Sequence, residues 1–203
     1  NIVLVATVSN TVYAFDADRS GTFWSKNYTV AGQRPPTHKD MTGACGGNYN
    51  DFSGNIGIVG TPVIDSATST MYFVARSTDG PAGSNGTGNF SQYLHAIDIT
   101  TGNERANSPV LINASIAGSG DGSVNGTLSF NAQHENQRTG LLLVNGIVYL
   151  TYAAHCDWPP YHGWILGYDK TSLTQKTVYN TTPDGYNGGI WMSGSGPAAD
   201  ENG

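Results

Sequence analysis

The stretch AAHCDWPPYHGW, residues 153–164, gathers more chemically capable side chains than any other part of the chain. His155, Cys156, Asp157 and His162 are of types that ligate zinc, but structural zinc sites bring a second ligand pair at a similar short spacing, and none is visible in the sequence. His155 and His162 are therefore weak metal candidates. If Cys156 is tied up in a disulfide, it offers no thiolate. Trp158, Tyr161 and His162, with Trp191 further on, have the apolar faces and polar edges that bind sugar rings or small aromatic ligands. The competing reading is packing, and Trp164, which opens a strand, belongs there. In FNAQHENQRTG, residues 130–140, Arg138 suits an anionic group and His134 with Glu135 suits acid–base work. The competing reading is a solvated loop. No Gly-x-Ser-x-Gly elbow supports a nucleophilic serine. GSGDG and NGTGN precede no helix, so they are not phosphate loops.

The elements that must hold these residues are strands. The 203 residues include 27 glycines, and only 12% are charged, about half the usual share. That composition fits an all-β, turn-rich chain. The net charge is −6, with nine Lys and Arg scattered along the sequence, so no basic stripe exists to replace counterions on a nucleic acid. No apolar run is long enough to span a membrane as a helix. The chain opens on NIVLVATV, already strand-like, and reads as a mature or partial chain.

A motif recurs as VYAFDAD (12–18), LHAIDIT (94–100) and ILGYDKT (165–171). An apolar strand ends in a small residue, a larger apolar one and Asp, followed by a polar turn. A second motif, Pro–apolar–apolar–Asp, recurs in GTPVID (60–65) and SGPAAD (195–200); proline lacks the ladder donor and suits a strand start. Asn145-Gly146, inside LLLVNGIVYLTY, supplies a type I′ hairpin turn. MYFVAR adds a strand, and TFWSKNYTV, SPVLINAS and QKTVYNTT read as outer strands. The expected fold is all-β, a β-propeller of four-stranded antiparallel blades. The blades fall at 1–30 (the end of one), 56–115 and 140–182 (whole), and 190–203 (an inner strand).

Strand parity then puts almost every long loop (31–57, 77–91, 116–139, 153–163 and 183–190) on one face, where binding surfaces are built. Cys45 and Cys156 lie on that face; a bridge between them, or two free or separately paired thiols, are both open. Sequons at Asn27, Asn85, Asn89, Asn113, Asn125 and Asn180, with the two cysteines, point to a secreted or extracytoplasmic glycoprotein.

AFDADRSGTFW resembles the repeat of quinoprotein-type (PQQ-like) β-propellers, which run Ala-x-Asp, then a Thr-Gly turn, then Trp. Ala14, Asp16, a displaced Gly21 and Trp24 carry the match. In HAIDITTGNERA, Ala96, Asp98, Thr101 and Gly102 match, and Ala106 stands in place of the tryptophan. LGYDKTSLTQKT keeps Asp169 alone. The family's enzymes hold a quinone and Ca²⁺ in a central funnel and oxidise alcohols or sugars. The resemblance implies such an oxidoreductase as one reading; no base or calcium ligand can be assigned to a position here, and the adjacent-cysteine ring is absent. The favoured reading is a binding or structural module that meets a glycan or protein partner on its long-loop face. The sialidase Asp-box fails because Arg19 stands where Asp is required. DADRSG lacks the spacing of a calcium loop.

Overall fold

The computed structural model describes residues 1–52, 54–83, 85–192 and 194–200, and it is all-β with several antiparallel sheets. The first sheet orders β1 (Ile2–Ala6), β2 (Thr11–Asp16) and β3 (Thr22–Asn27) side by side. The second orders β4 (Val63–Asp65), β5 (Thr70–Thr78), β6 (Phe90–Asp98) and β7 (Val110–Leu111). Between the second and third sheets run β8 (Ser115–Ala117), paired with β9 (Thr127–Ser129), and the short β10 (Glu135–Asn136). The third sheet orders β11 (Leu142–Val144), β12 (Ile147–Thr151), β14 (Trp164–Asp169) and β15 (Gln175–Asn180); β13 (Ala153–Ala154) leaves it to pair with β10.

The three sheets repeat one register. Asp16, Asp98 and Asp169 close β2, β6 and β14, opposite Ile2, Thr70 and Ile147. Asp98 and Asp169 each turn a carboxylate oxygen back to accept the amides of the following polar turn, which ends the strand. Asn145 and Gly146 take the positive φ values, 50° and 78°, of the expected hairpin turn.

Packing explains why β5 reads as an unbroken apolar run. All nine of its residues are buried, because both of its faces are covered. Met71, Phe73 and Ala75 point toward the first sheet and meet Val12, with Leu4, Ala6 and Trp24 at the margin. Tyr72 and Val74 point the other way and join Val148, Leu150, Trp164 and Leu166 of the third sheet. The sheets thus stack face to face, with a core in each gap.

Polar bonds cross the same gaps. Trp24 Nε1 donates to the carbonyl of Ile99 at 3.1 Å, and its ring lies on Gly102, where a Cβ would come within 2.8 Å of the indole. Tyr72 donates to the Lys170 carbonyl at 2.9 Å, and Lys170 reaches Asp65 at 2.8 Å.

Two expectations need correction. Residues 194–200 form no strand, although Gly140 donates to the Ser195 carbonyl; Pro197 has no N–H to give to a ladder. Residues 201–203 of that expected strand lie outside the described residues. SPVLINAS shrinks to Val110–Leu111, because the Ala96 amide is taken by the Ser108 hydroxyl at 2.7 Å and not by a ladder carbonyl. Among the described residues no helix is long and apolar enough to cross a membrane.

Candidate functional site: the long-loop rim

The turns at one end of the sheets, 17–21, 66–69, 145–146 and 170–174, are short, and 99–109 is the longer exception. At the other end five long connections, 28–62, 79–89, 112–141, 152–163 and 181–196, meet one another. Cys45 and Cys156 form a disulfide that joins the first of these to the fourth. Gln133 Nε2 donates to the Asp40 carbonyl at 2.9 Å, joining the third to the first. Ser119 donates through its amide and hydroxyl to Asp184, and Gly120 and Asp121 donate to Pro183 and Gly185, joining third to fifth. The loops therefore make one bonded rim and not five separate tips.

The first connection is built on an ion pair between the buried Asp40 and the partly exposed Arg34. Arg34 grips Asp40 through two nitrogens, at 2.7 and 2.8 Å, and the Thr37 amide and hydroxyl also donate to Asp40. Burial pushes the Asp40 carboxyl up, but the Arg34 and Thr37 hydrogen bonds outweigh it and hold it below its ordinary pKa. Arg34 also donates to the Gly80 and Pro81 carbonyls, which fixes the second connection.

Beneath the rim lies a buried polar network. Arg76, on β5, is 3% exposed; it donates to His155 Nε2 and to the Glu135 carbonyl. An arginine has no acceptor, so His155 Nε2 must accept and the ring is neutral. Its proton sits on Nδ1 and donates to the Tyr49 hydroxyl at 2.8 Å. Burial, then the Arg76 charge, pushes the His155 pKa well below the ordinary value. Burial also lowers Arg76 to about 10 and raises Tyr49 to about 12. Glu135 accepts the His162 amide through Oε1, while Oε2 is buried without a partner. Desolvation raises its pKa well above the carboxylate range, against the pull of His162, Trp164 and Arg76.

The sequence-predicted residues separate into distinct roles. His155 is consumed by Arg76 and Tyr49. His162 spends both ring nitrogens, on the Thr182 hydroxyl and the Asp121 carbonyl, at 2.9 Å each. Neither has a nitrogen free for a metal, and Cys156 is in the bridge. Trp158 stacks on His134 at 3.9 Å and covers Gly43, where any Cβ would overlap the indole. Tyr161 is buried and donates to Asp157 at 2.8 Å. Trp191 is part-exposed in the fifth connection. Trp158, Tyr161 and His162 thus act as loop struts, each on a different partner. Trp164, expected to pack, is fully buried. Arg138 is exposed, and its charge reaches Tyr49.

Of the sequons, Asn27, Asn85, Asn89, Asn113 and Asn125 are exposed. Asn180 is 3% exposed and its Nδ2 is buried, so a glycan there would require the side chain to leave its place.

No protein-family model and no curated protein matches this chain.

The rim also holds a polar cleft of about 550 Å³ between the first two connections, lined by His38, Lys39, Asn48, Tyr49, Asn50 and Asn85. The disulfide pins one wall of it, and the Arg34–Asp40 pair pins the other. Reading the sequence alone misses Arg76, Tyr49 and Gln92, which donates to the Glu135 carbonyl at 2.7 Å. An arginine inside the apolar run MYFVAR is the one signal that marks a buried cation.

Proposed function

We propose that the three sheets are consecutive blades of a β-propeller. In this reading the protein works outside the cell as a binding module whose capped rim takes up a glycan. The common register, the face-to-face stacking and the gathering of long connections at one end support the propeller. The disulfide and the five exposed sequons support an oxidising location. The observation that carries the binding role is the cleft at His38, Lys39, Asn48, Asn50 and Asn85. Its walls are amides and a cation held in place by a ring of bonds, which suits the hydroxyls of a sugar. The groups suited to acid–base chemistry, His134 and Glu135, do not line it: His134 is held by the Pro160 carbonyl and the Trp158 ring, and Glu135 is buried beside the His162 amide. Asn85 is both a cleft wall and a sequon, so a glycan on Asn85 would compete with a ligand.

The test is calorimetric titration of the Asn85→Gln protein with neutral oligosaccharides of several linkages. Binding that weakens about tenfold in Asn48→Ala or Asn50→Ala supports the reading. No binding by any oligosaccharide overturns the glycan as ligand and leaves a protein partner.

The seating of Trp24 on Gly102 favours a second reading, a quinoprotein-type oxidoreductase holding a quinone and Ca²⁺. The residues of this chain fit that group poorly. Glu135, the carboxylate with an unpartnered buried oxygen, lies beside the Arg76 guanidinium, which repels a divalent cation. A native mass spectrum separates the two: mass lost on denaturation that equals a quinone plus Ca²⁺ would favour the oxidoreductase.

A further inference from the structure

We infer that the glycan taken up by the cleft is an acidic one, a chain of uronic acids whose carboxylate is read by Lys39 and by the Tyr49 hydroxyl. The inference rests on the glycan reading and names the class of sugar. Two features of the cleft lead to it: its charge, and the direction of the hydrogen bonds beneath it.

The charge differs from that of the chain as a whole. Asp and Glu number 15 against nine Lys and Arg, yet no Asp or Glu is among the described residues that line the cleft. Lys39 and His38 do line it. Lys39 is exposed, and among the described residues no hydrogen bond or ion pair engages its ammonium. The Nδ1 atom of His38 is buried with no partner. Asp40, next in sequence, does not cancel this charge: its side chain is 1% exposed, and its oxygens are held by Arg34 and Thr37. Apart from burial, three charges act on the Tyr49 hydroxyl, Asp51 in one direction and Arg76 and Arg138 in the other. On an acidic protein, a cleft with a surplus of positive charge selects an anion.

The direction of the hydrogen bonds says where an oxygen of that anion goes. Arg76 has no acceptor, so it donates to His155 Nε2, and His155 donates through Nδ1 to the Tyr49 oxygen. That oxygen already accepts, and its own proton is left to give. No described residue takes it. Tyr49 is 4% exposed and lines the cleft, and a ligand held there supplies the missing acceptor. The relay from Arg76 through His155 to Tyr49 polarises each donor in turn, and a polarised donor favours an ionised oxygen over a neutral hydroxyl.

The remaining lining says that the anion is carried on a sugar. Asn48, Asn50 and Asn85 are uncharged and offer both donors and acceptors, which match hydroxyls and do nothing for a bare inorganic anion. A carboxylate that accepts from Tyr49 keeps lone pairs for Lys39.

The test is calorimetric titration of the Asn85→Gln protein with oligogalacturonate, oligoglucuronate and oligomannuronate, each as the free acid and as its methyl ester. Esterification keeps every hydroxyl and removes the charge. The expected result is that at least one acid binds at least about tenfold more tightly than its own ester, and that Lys39→Gln and Tyr49→Phe each reduce that ratio about three- to fivefold. The ratio is taken within one protein, so a fraction of a variant that fails to fold does not alter it. Lys39 is exposed, and Lys39→Gln keeps the test decisive if Tyr49→Phe does not fold at all. Esters and neutral oligosaccharides that bind as tightly as the acids overturn the inference and leave the glycan reading standing. An acid preference that survives both substitutions also overturns it, since the charge is then read elsewhere. No binding by any sugar, acidic or neutral, overturns the glycan reading itself and the inference with it.

Discussion

At the residue scale the most consequential groups are Glu135 and His155, because burial drives their pKa values in opposite directions. His155 is depressed in the folded protein. Its contribution is complete above the unfolded value of about 6.5 and is lost as pH falls toward the folded one. Glu135 is raised. Its contribution is complete below about 4.3 and is lost as pH rises toward its folded value. Between those limits the two slopes oppose each other. His155→Gln, which can still accept from Arg76 and donate to Tyr49, is expected to remove the His155 slope of about 1.4 kcal/mol per pH unit. Glu135→Gln is expected to gain stability relative to wild type as pH rises from 4 to 7. Urea melts at several pH values check both; parallel pH profiles for wild type and variants would refute the assignment. At the other wall of the rim, Asp40→Asn leaves Arg34 without its charge partner and is expected to cost about 3 kcal/mol, read as a lowered urea midpoint at pH 7. Because Asp40 is held below its ordinary pKa, that difference shrinks as pH falls below about 4.

At the element scale the repeats show a matched loss. Trp24 of the first repeat lies on Gly102 of the second, whose φ of 67° also favours glycine. The second repeat has Ala106 where the tryptophan would be. The third has Leu173 at the place of that glycine, four residues after its Asp, in the same left-handed conformation with φ 53°. Leu173 is 2% exposed and packs in the core between the second and third sheets. In this gap the large side chain stands on the third sheet's side. Leu173→Gly is expected to cost about 2–4 kcal/mol, the cavity outweighing the relief of backbone strain. Ala106→Trp alone is expected to destabilise by overpacking, about 1–3 kcal/mol. The double variant should recover part of the sum, a coupling that a double-mutant cycle in urea measures; strict additivity would show that the two positions do not share the gap.

At the scale of the whole molecule the Cys45–Cys156 bridge ties connections 111 residues apart in sequence. In the chain-entropy model such a closure stabilises by about 4–5 kcal/mol. Cys156→Ser is expected to lower the thermal midpoint in non-reducing buffer and to speed amide exchange in 38–50 and 153–163 before the sheets. An unchanged midpoint would show that Arg34–Asp40, Gln133 and the His155 network hold the rim by themselves.

The main strands of the three sheets, their order within each sheet, the Asn145-Gly146 turn and the crowding of long connections at one end were legible in the sequence, whereas β9, β10 and β13 fall in stretches that read as loops. The legible features depend on local rules: alternation, turn chemistry and the parity of antiparallel strands. Arg76, Tyr49 and the uses of His155 and His162 were not. Those depend on which side chains from distant connections arrive at one buried point, where each donor must find an acceptor or lose the hydrogen bonds it had in water. A histidine in a loop has the same letters whether it faces solvent, a metal or an arginine. Only tertiary packing decided that both histidines are spent on the scaffold, that Asn180 lies inside, and that Asn85, a sequon, lines the open cleft.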